Sequence, residues 1–304
     1  MVPFMLPDSD QETLAKRLFD LSHEMAPIPT ALRENCSSLR PVQAVLWDVY
    51  GTLFASASGD VEAAGEAAHA AAFGEAFASC GWALPEDQVA QLPDVYFGTI
   101  ARFHARSKQA GVPYPEVDIR EVWREILQQF CPASPLEDAR LEQLAVEAEA
   151  RLNPVWPMPG CQAVLKQLAS EGWLMGIVSN AQFYTPLLFR GFFGSGLSGL
   201  GFDGTLCHWS WECGHGKPST RMFVEARNIL EQKGVAAGQV LFVGNDKLKD
   251  LYPAREMGFQ TMLFAGDKRS LRLREGDPRC CGWEPDAVVL SLDAVHSALR
   301  QARL

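Results

Sequence analysis

The chain has 304 residues, 47% of them hydrophobic, and its 27 Lys and Arg against 37 Asp and Glu leave a formal net charge of −10. That length allows one large domain or two ordinary ones, at roughly 100 to 200 residues each, and the acidic balance argues against a nucleic-acid or anionic-membrane surface. No apolar stretch reaches bilayer-spanning length and the first residues lack the basic flank of a signal peptide, so a soluble, cytoplasmic protein is expected.

In chain order, Asp10 to Met25 places Leu14, Leu18, Leu21 and Met25 on one helical face, and Pro27-Ile28-Pro29 ends it. Residues 1–40 read as a helical extension packed on the core or on a second subunit, which leaves a homodimer open. The apolar run Val42 to Trp47 follows, broken by Asp48 and then by Tyr50-Gly51-Thr52. A buried strand that ends in a carboxylate and a Gly delivers an acid to the crevice beyond the carboxyl ends of a parallel sheet. Asp48 is therefore a candidate nucleophile. From Ser58 to about Trp156 the pattern becomes Ala-rich and Glu-rich helix with no clear strand, and Pro157-Met158-Pro159-Gly160 marks the return to a core.

Beyond that point helices and short apolar runs alternate. Cys161 to Glu171 reads as helix, Leu174 to Val178 as strand, Thr220 to Gln232 as helix, Val240 to Val243 as strand, Leu251 to Met257 as helix and Thr261 to Phe264 as strand, with Ala287 to Leu290 as an edge strand. Such alternation predicts a parallel sheet with helices on both faces. The string Asp203-Gly204-Thr205-Leu206 imitates the segment after Asp48 but follows Gly-rich sequence, and it reads as the start of a strand leading toward Lys217. None of the eight cysteines forms a Cys-x-x-Cys pair and no His has finger spacing, so reduced thiols are expected, the vicinal Cys280-Cys281 included.

Four segments in order carry a resemblance: Asp48 with Gly51 and Thr52, then Ser179-Asn180 closing one run, Lys217 before a Pro, and Asp246 with Asp250 after the run Val240 to Val243. Together they resemble the motifs of the haloacid dehalogenase superfamily of aspartate-nucleophile hydrolases. The resemblance implies an α/β, Rossmannoid core with a parallel sheet (41–57 and 159–304) and an inserted α-helical cap (58–158). It also implies roles: Asp48 attacks, Ser179 and Lys217 assist, and Asn180, Gly51 and Thr52 cradle the transferred group. Mg²⁺, a hard ion that wants oxygen ligands, would be held by Asp48, the Tyr50 carbonyl and Asp246, with Asp250 in support.

One position departs from the pattern. Phosphatases of this superfamily carry a second Asp two residues after the nucleophile, as general acid and base; here it is Tyr50. Loss of a general acid typically costs about 10²- to 10⁴-fold. The leading expectation is a Mg²⁺-dependent phosphatase for a small phosphorylated metabolite, with His104, Glu116 and Asp118 as replacement acids from the cap. A second expectation is a 2-haloacid dehalogenase, a metal-independent enzyme that resembles this chain in carrying Tyr at that position, with Arg102 or Arg106 gripping the substrate carboxylate; Asp246 speaks against it. A phosphonatase-like variant would use Lys108, and a catalytically silent binding module is the alternative outside enzymes.

Overall fold

The computed structural model describes residues 8–36, 38–57, 66–133 and 137–303. Helix α1 (Asp8–Leu21) comes first, and the apolar run then forms β1 (Ala44–Trp47). After a turn come β2 (Phe54–Ser56) and four helices, α2 (Glu66–Ser79), α3 (Glu86–Gln109), α4 (Ile119–Phe130) and α5 (Asp138–Leu152). The chain returns through β3 (Val155–Pro157), which pairs antiparallel with β2. The expectation of no clear strand from Ser58 to about Trp156 is thus corrected at its end: Val155 and Trp156 gain their partners from Ser56 and Ala55, a pairing that no local pattern signals.

Next come α6 (Cys161–Ser170), β4 (Leu174–Ser179), α7 (Thr185–Phe193), β5 (Phe202–Trp209), α8 (Ser210–Cys213), α9 (Arg221–Gln232) and β6 (Val240–Gly244). A π-helical turn over Lys247–Leu251 runs into α10 (Tyr252–Glu256), and β7 (Gln260–Phe264), β8 (Ala287–Val289) and α11 (Leu292–Gln301) complete the chain. Six strands form one sheet in the order β5-β4-β1-β6-β7-β8, all parallel. Covered by helices on both faces, such strands read as continuous apolar runs, and every residue of β1, β6 and β7 is buried. The sheet separates two apolar clusters, one around Trp47, Phe54 and Phe189, the other around Leu46, Phe223 and Phe242. Among the described residues no helix is long and apolar enough to cross a membrane.

The order places β1 between β4 and β6, so chain connections leave it in opposite directions and open a crevice beyond its carboxyl end. Helices α2 to α5 close over that crevice, with Phe73 and Phe77 packed edge-on against Trp123 and Tyr96 tilted against Phe73 and Trp123. Helix α1 stops at Leu21 rather than at the expected Met25, and buries Leu14, Ala15 and Leu18 against α7 and α5. Arg17 pairs with the buried Glu147 of α5, while Asp8 reaches Arg190 of α7 at 3.4 Å. The extension therefore packs across this chain's own cap helices and core.

Candidate active site

Asp48 leaves the end of β1 with its amide bonded to Val243 O at 2.9 Å, which fixes its carboxylate at the crevice. Ser179, the last residue of β4, donates to Asp48 Oδ1 at 3.0 Å. Lys217 Nζ meets the same Oδ1 at 2.7 Å, Asp250 Oδ1 at 2.5 Å and Val178 O at 3.2 Å. Among the described residues, Asp48 Oδ2 has only the Thr52 hydroxyl, at 3.4 Å. One carboxylate oxygen is thus anchored by two donors and the other is left to react.

The turn that follows is tight. Gly51 has φ +84°, and a Cβ there would lie 2.6 Å from both Asn245 Nδ2 and Ser270 Cβ, so only Gly fits. The cradling expected of this turn is corrected by the hydrogen bonds: Gly51 N–H is spent on Phe54 O and Thr52 N–H on Val49 O. Thr52 contributes its hydroxyl instead, which also reaches Asn245 Oδ1 at 3.1 Å. Asn180, expected to bind substrate, takes Lys217 N–H on Oδ1 at 2.6 Å and gives Nδ2 to Lys217 O at 3.3 Å. It holds the lysine segment in place.

Burial alone would lower the pKa of Lys217, but the charges of Asp250 and Asp48 outweigh it and hold the ammonium above its ordinary value. Asp250 moves the other way from a usual ion-paired acid. Burial and the charge of Asp48 push its carboxyl up to about 7, against the pull of Lys217. One ammonium divided between two carboxylates cannot neutralise both.

The acids expected to bind Mg²⁺ are engaged elsewhere. Asp246 Oδ1 caps the π-helical turn, accepting from Leu248 N–H at 2.9 Å and Lys249 N–H at 3.0 Å. Both its oxygens also face Arg274, at 3.1 Å and 3.2 Å from Nε and 2.6 Å from Nη2. Arg274 sits at φ 54°, rare for a residue with a side chain. Asp250 Oδ2 is committed to Asp246 N–H at 2.9 Å. Among the described residues no group of three or more His, Cys, Asp or Glu could hold a metal ion. The expected set of Asp48, Tyr50, Asp246 and Asp250 does not fit a divalent cation as arranged, because a guanidinium already satisfies the acid that would complete it.

Above this floor lies a cavity of about 660 Å³, roofed by Tyr96, Phe97, Ile100 and Glu149 of the inserted helices and by Glu116 of the loop between α3 and α4. Tyr50 lines it, with its hydroxyl 2.9 Å from Thr185 Oγ1 and its phenol pushed far up by burial and by Glu149. Of the cap candidates, Glu116 lines the cavity and binds the Ser210 hydroxyl at 2.9 Å. Asp118 is spent capping α4 and pairing with Arg120 at 2.7 Å. Arg102 pairs with Glu125 on the surface, and neither it nor Arg106, Lys108 or His104 lines the cavity. The positive charge lining it comes from Lys217, Lys249, Arg272 and Arg274 of the core. Arg274, Asn245 and Glu149 escape sequence reasoning: the first lies in a loop without periodicity, and the last is one Glu among many in Glu-rich helix.

An open parallel sheet with an acid at the carboxyl end of its central strand, a lysine bridging two carboxylates and a helical roof make a candidate active site in an α/β fold. A family model described as haloacid dehalogenase-like hydrolase matches residues 42–258, and the chain belongs to that family. Similar folds include a 2-haloacid dehalogenase from Pseudomonas syringae pv. tomato DC3000, with TM-score 0.55 and 18% identity over 86% of this chain and 99% of that one. A HAD phosphatase from Thermococcus onnurineus aligns with TM-score 0.47 and 20% identity over 86% and 100% of the two chains. An L-2-haloacid dehalogenase from Xanthobacter autotrophicus, solved with chloropropionic acid covalently bound, aligns with TM-score 0.46 and 22% identity over 85% and 98%. No curated protein matches.

Proposed function

We propose that this hydrolase works through a covalent ester on Asp48 without a divalent cation, displacing a leaving group that departs as a stable anion, as in 2-haloacid dehalogenation. The observation that carries the reading is the Asp246–Arg274 pair. Asp246 is the residue that speaks against a dehalogenase in the sequence, and the guanidinium of Arg274 supplies its compensating charge. Tyr50 agrees, since halide departure needs no acid at that position.

Asp48 Oδ2, the less committed oxygen, attacks the halogen-bearing carbon, and the carbon–halogen bond breaks with its electron pair on the halide. Lys217 and Ser179 hold Oδ1 so that the carboxylate cannot rotate away. Water then cleaves the ester at the Asp48 carbonyl, giving the hydroxy acid. Asp250, pushed up to about 7, is matched to taking the water's proton near neutral pH. The substrate carboxylate is met by core cations, Arg272 and Lys249 foremost, because the cap arginines stand outside the cavity and Arg274 is taken up by Asp246. Chloride release from 2-chloropropionate should persist in chelator and vanish in Asp48→Asn; hydrolysis of 4-nitrophenyl phosphate that demands Mg²⁺, with no chloride release, overturns the reading.

A second reading, a Mg²⁺-dependent phosphatase, is favoured by Asp48, Asp246 and Asp250 lining one cavity. It requires Asp246 to exchange Arg274 for the metal. A silent binding module would show no turnover dependent on Asp48.

A further inference from the structure

The inserted helices α2 to α5 join the sheet through two short strands, β2 and β3, paired side by side. The joint is narrow: beyond the paired strands, Ala57 N–H bonds Pro154 O at 3.0 Å and Met158 N–H bonds Leu53 O at 2.9 Å. Two bodies linked in this way move against each other unless something broad and apolar holds them. Helix α1 spans the joint. On the side of the inserted helices, Arg17 Nε and Nη2 both reach Glu147 of α5, the latter at 2.9 Å, and the Glu147 side chain is 2% exposed. At the joint itself Phe19 stacks on Trp156 of β3, with centroids 6.4 Å apart, and meets Phe192 of α7 edge-on at 5.3 Å. Phe54 of β2 packs edge-on against Phe189 and Phe192 of the same helix. On the core side the backbones of α1 and α7 come together: a Cβ at Gly191 would overlap the Ala15 carbonyl oxygen and lie 3.1 Å from its carbon. Gly is a poor residue for the interior of a helix. Gly191 weakens α7 on its own and admits α1.

We propose that α1 is a splint across this joint, which keeps α2 to α5 seated over Asp48 and prevents the roof from swinging about β2 and β3. Elsewhere along the roof, residues 114–119 meet the core through hydrogen bonds. Gly216 N–H bonds Tyr114 O at 2.8 Å and Glu116 N–H bonds Gly214 O at 3.1 Å, while the Gln182 side chain takes Ile119 N–H at 3.0 Å and gives Nε2 to Val117 O at 2.8 Å. None of these bonds involves a residue of α1. Each can be exchanged for a bond to water, so its net worth is small. The splint instead buries Leu14, Ala15 and Leu18 and adds the paired Glu147. It, rather than the seam, decides whether the roof lifts. With α1 in place a ligand reaches Asp48 without a hinge motion, and with α1 cut loose the same helices become a moving lid. The inference holds whichever reaction Asp48 performs.

The test is hydrogen–deuterium exchange followed by mass spectrometry on the full chain. Arg17→Met combined with Phe19→Ala cuts the ties of α1 to α5 and to β3, while Leu14, Ala15 and Leu18 keep the helix on α7 and Arg151 still pairs with Glu147. Peptides carrying the hinge amides of Ala57 and Met158 and the seam amides of Glu116, Ile119 and Gly216 should exchange at least about 10-fold faster in that variant, and those of β1, β4 and β6 should change by less than about 3-fold. Gly191→Ala approaches from the other side: it raises the helix propensity of α7 yet lifts α1, and it should give the same pattern. Hinge and seam amides that stay protected in the double variant, or that speed up no more than the central strands do, overturn the proposal. So does slower exchange at the hinge in Gly191→Ala, which would mean that a better α7 matters and the seat of α1 does not.

Discussion

Replacing Lys217 by Met probes the electrostatics on which the site is built. The lysine side chain is 2% exposed, and it stands between Asp48 at 8% and Asp250 at 2%. Removing one partner of a buried ion pair costs about 3–5 kcal/mol, because the stranded charge stays in a poor solvent. Two carboxylates are stranded here, which argues for the upper end. Against that, the Asp250 carboxyl already titrates at about 7 with the lysine present, so it gains a proton readily once the lysine is gone. The two effects place the loss near 3 kcal/mol at pH about 7. The sign with pH follows from linkage: an acid whose folded pKa is raised contributes stability that is full below its unfolded pKa, near 3.9, and is lost as pH rises through the folded value. Lys217→Met removes the pull that opposes the raised Asp250 carboxyl, so its deficit should be small at pH about 5 and grow steadily to pH about 8. Urea unfolding followed by circular dichroism at those pH values measures it. A deficit under about 0.5 kcal/mol throughout, or one that ignores pH, would refute the reasoning.

Turnover should show an acidic limb near pH 7, since Asp250 must be ionised to accept a proton and its carboxyl is pushed up to about 7; a pH–rate profile flat from 5 to 8, in round numbers, removes that role. Arg274→Met should leave Asp246 without its guanidinium and let Mg²⁺ bind, detectable by titration calorimetry where the wild type gives no heat; an equally silent variant means that Arg274 is not what excludes the ion. Glu149→Gln should gain stability over the wild type as pH rises, because the raised Glu149 carboxyl makes the native state lose stability when it ionises. Thermal melts across pH that run parallel for the two proteins would contradict the burial argument.

Much of the fold is legible in the sequence because parallel strands covered on both faces leave nearly continuous apolar runs. Val42 to Trp47, Leu174 to Val178 and Val240 to Val243 are such runs, and they became β1, β4 and β6 to within two residues at either end. The meeting of Asp48 and Ser179 follows from that topology, since one sits just past a strand end and the other at one, while Lys217 arrives through the loop after α8. Helix α7 passed unnoticed within aromatic and Gly-rich sequence, although Pro186 near its start and Gly194 at its end, with φ 64°, are ordinary boundary signals. Partnerships across the chain are what sequence conceals. Nothing local says that Asp246 faces Arg274, twenty-eight residues on, or that Glu149 meets Tyr184 across the seam between cap and core.

The first forty residues have a consequence for the sheet itself. Beyond α1, Asn35 pairs antiparallel with Val288 of β8, with N–H to O distances of 2.9 Å and 2.7 Å in the two directions. A strand at the margin of a sheet is a template for another molecule's backbone, and this stretch lies over that template. A shortened chain beginning at residue 42, where the family match starts, would bare both that margin and the side of α7 that receives Leu14 and Leu18. Self-association of such a fragment, at concentrations where the full chain stays dispersed, is what its geometry foretells.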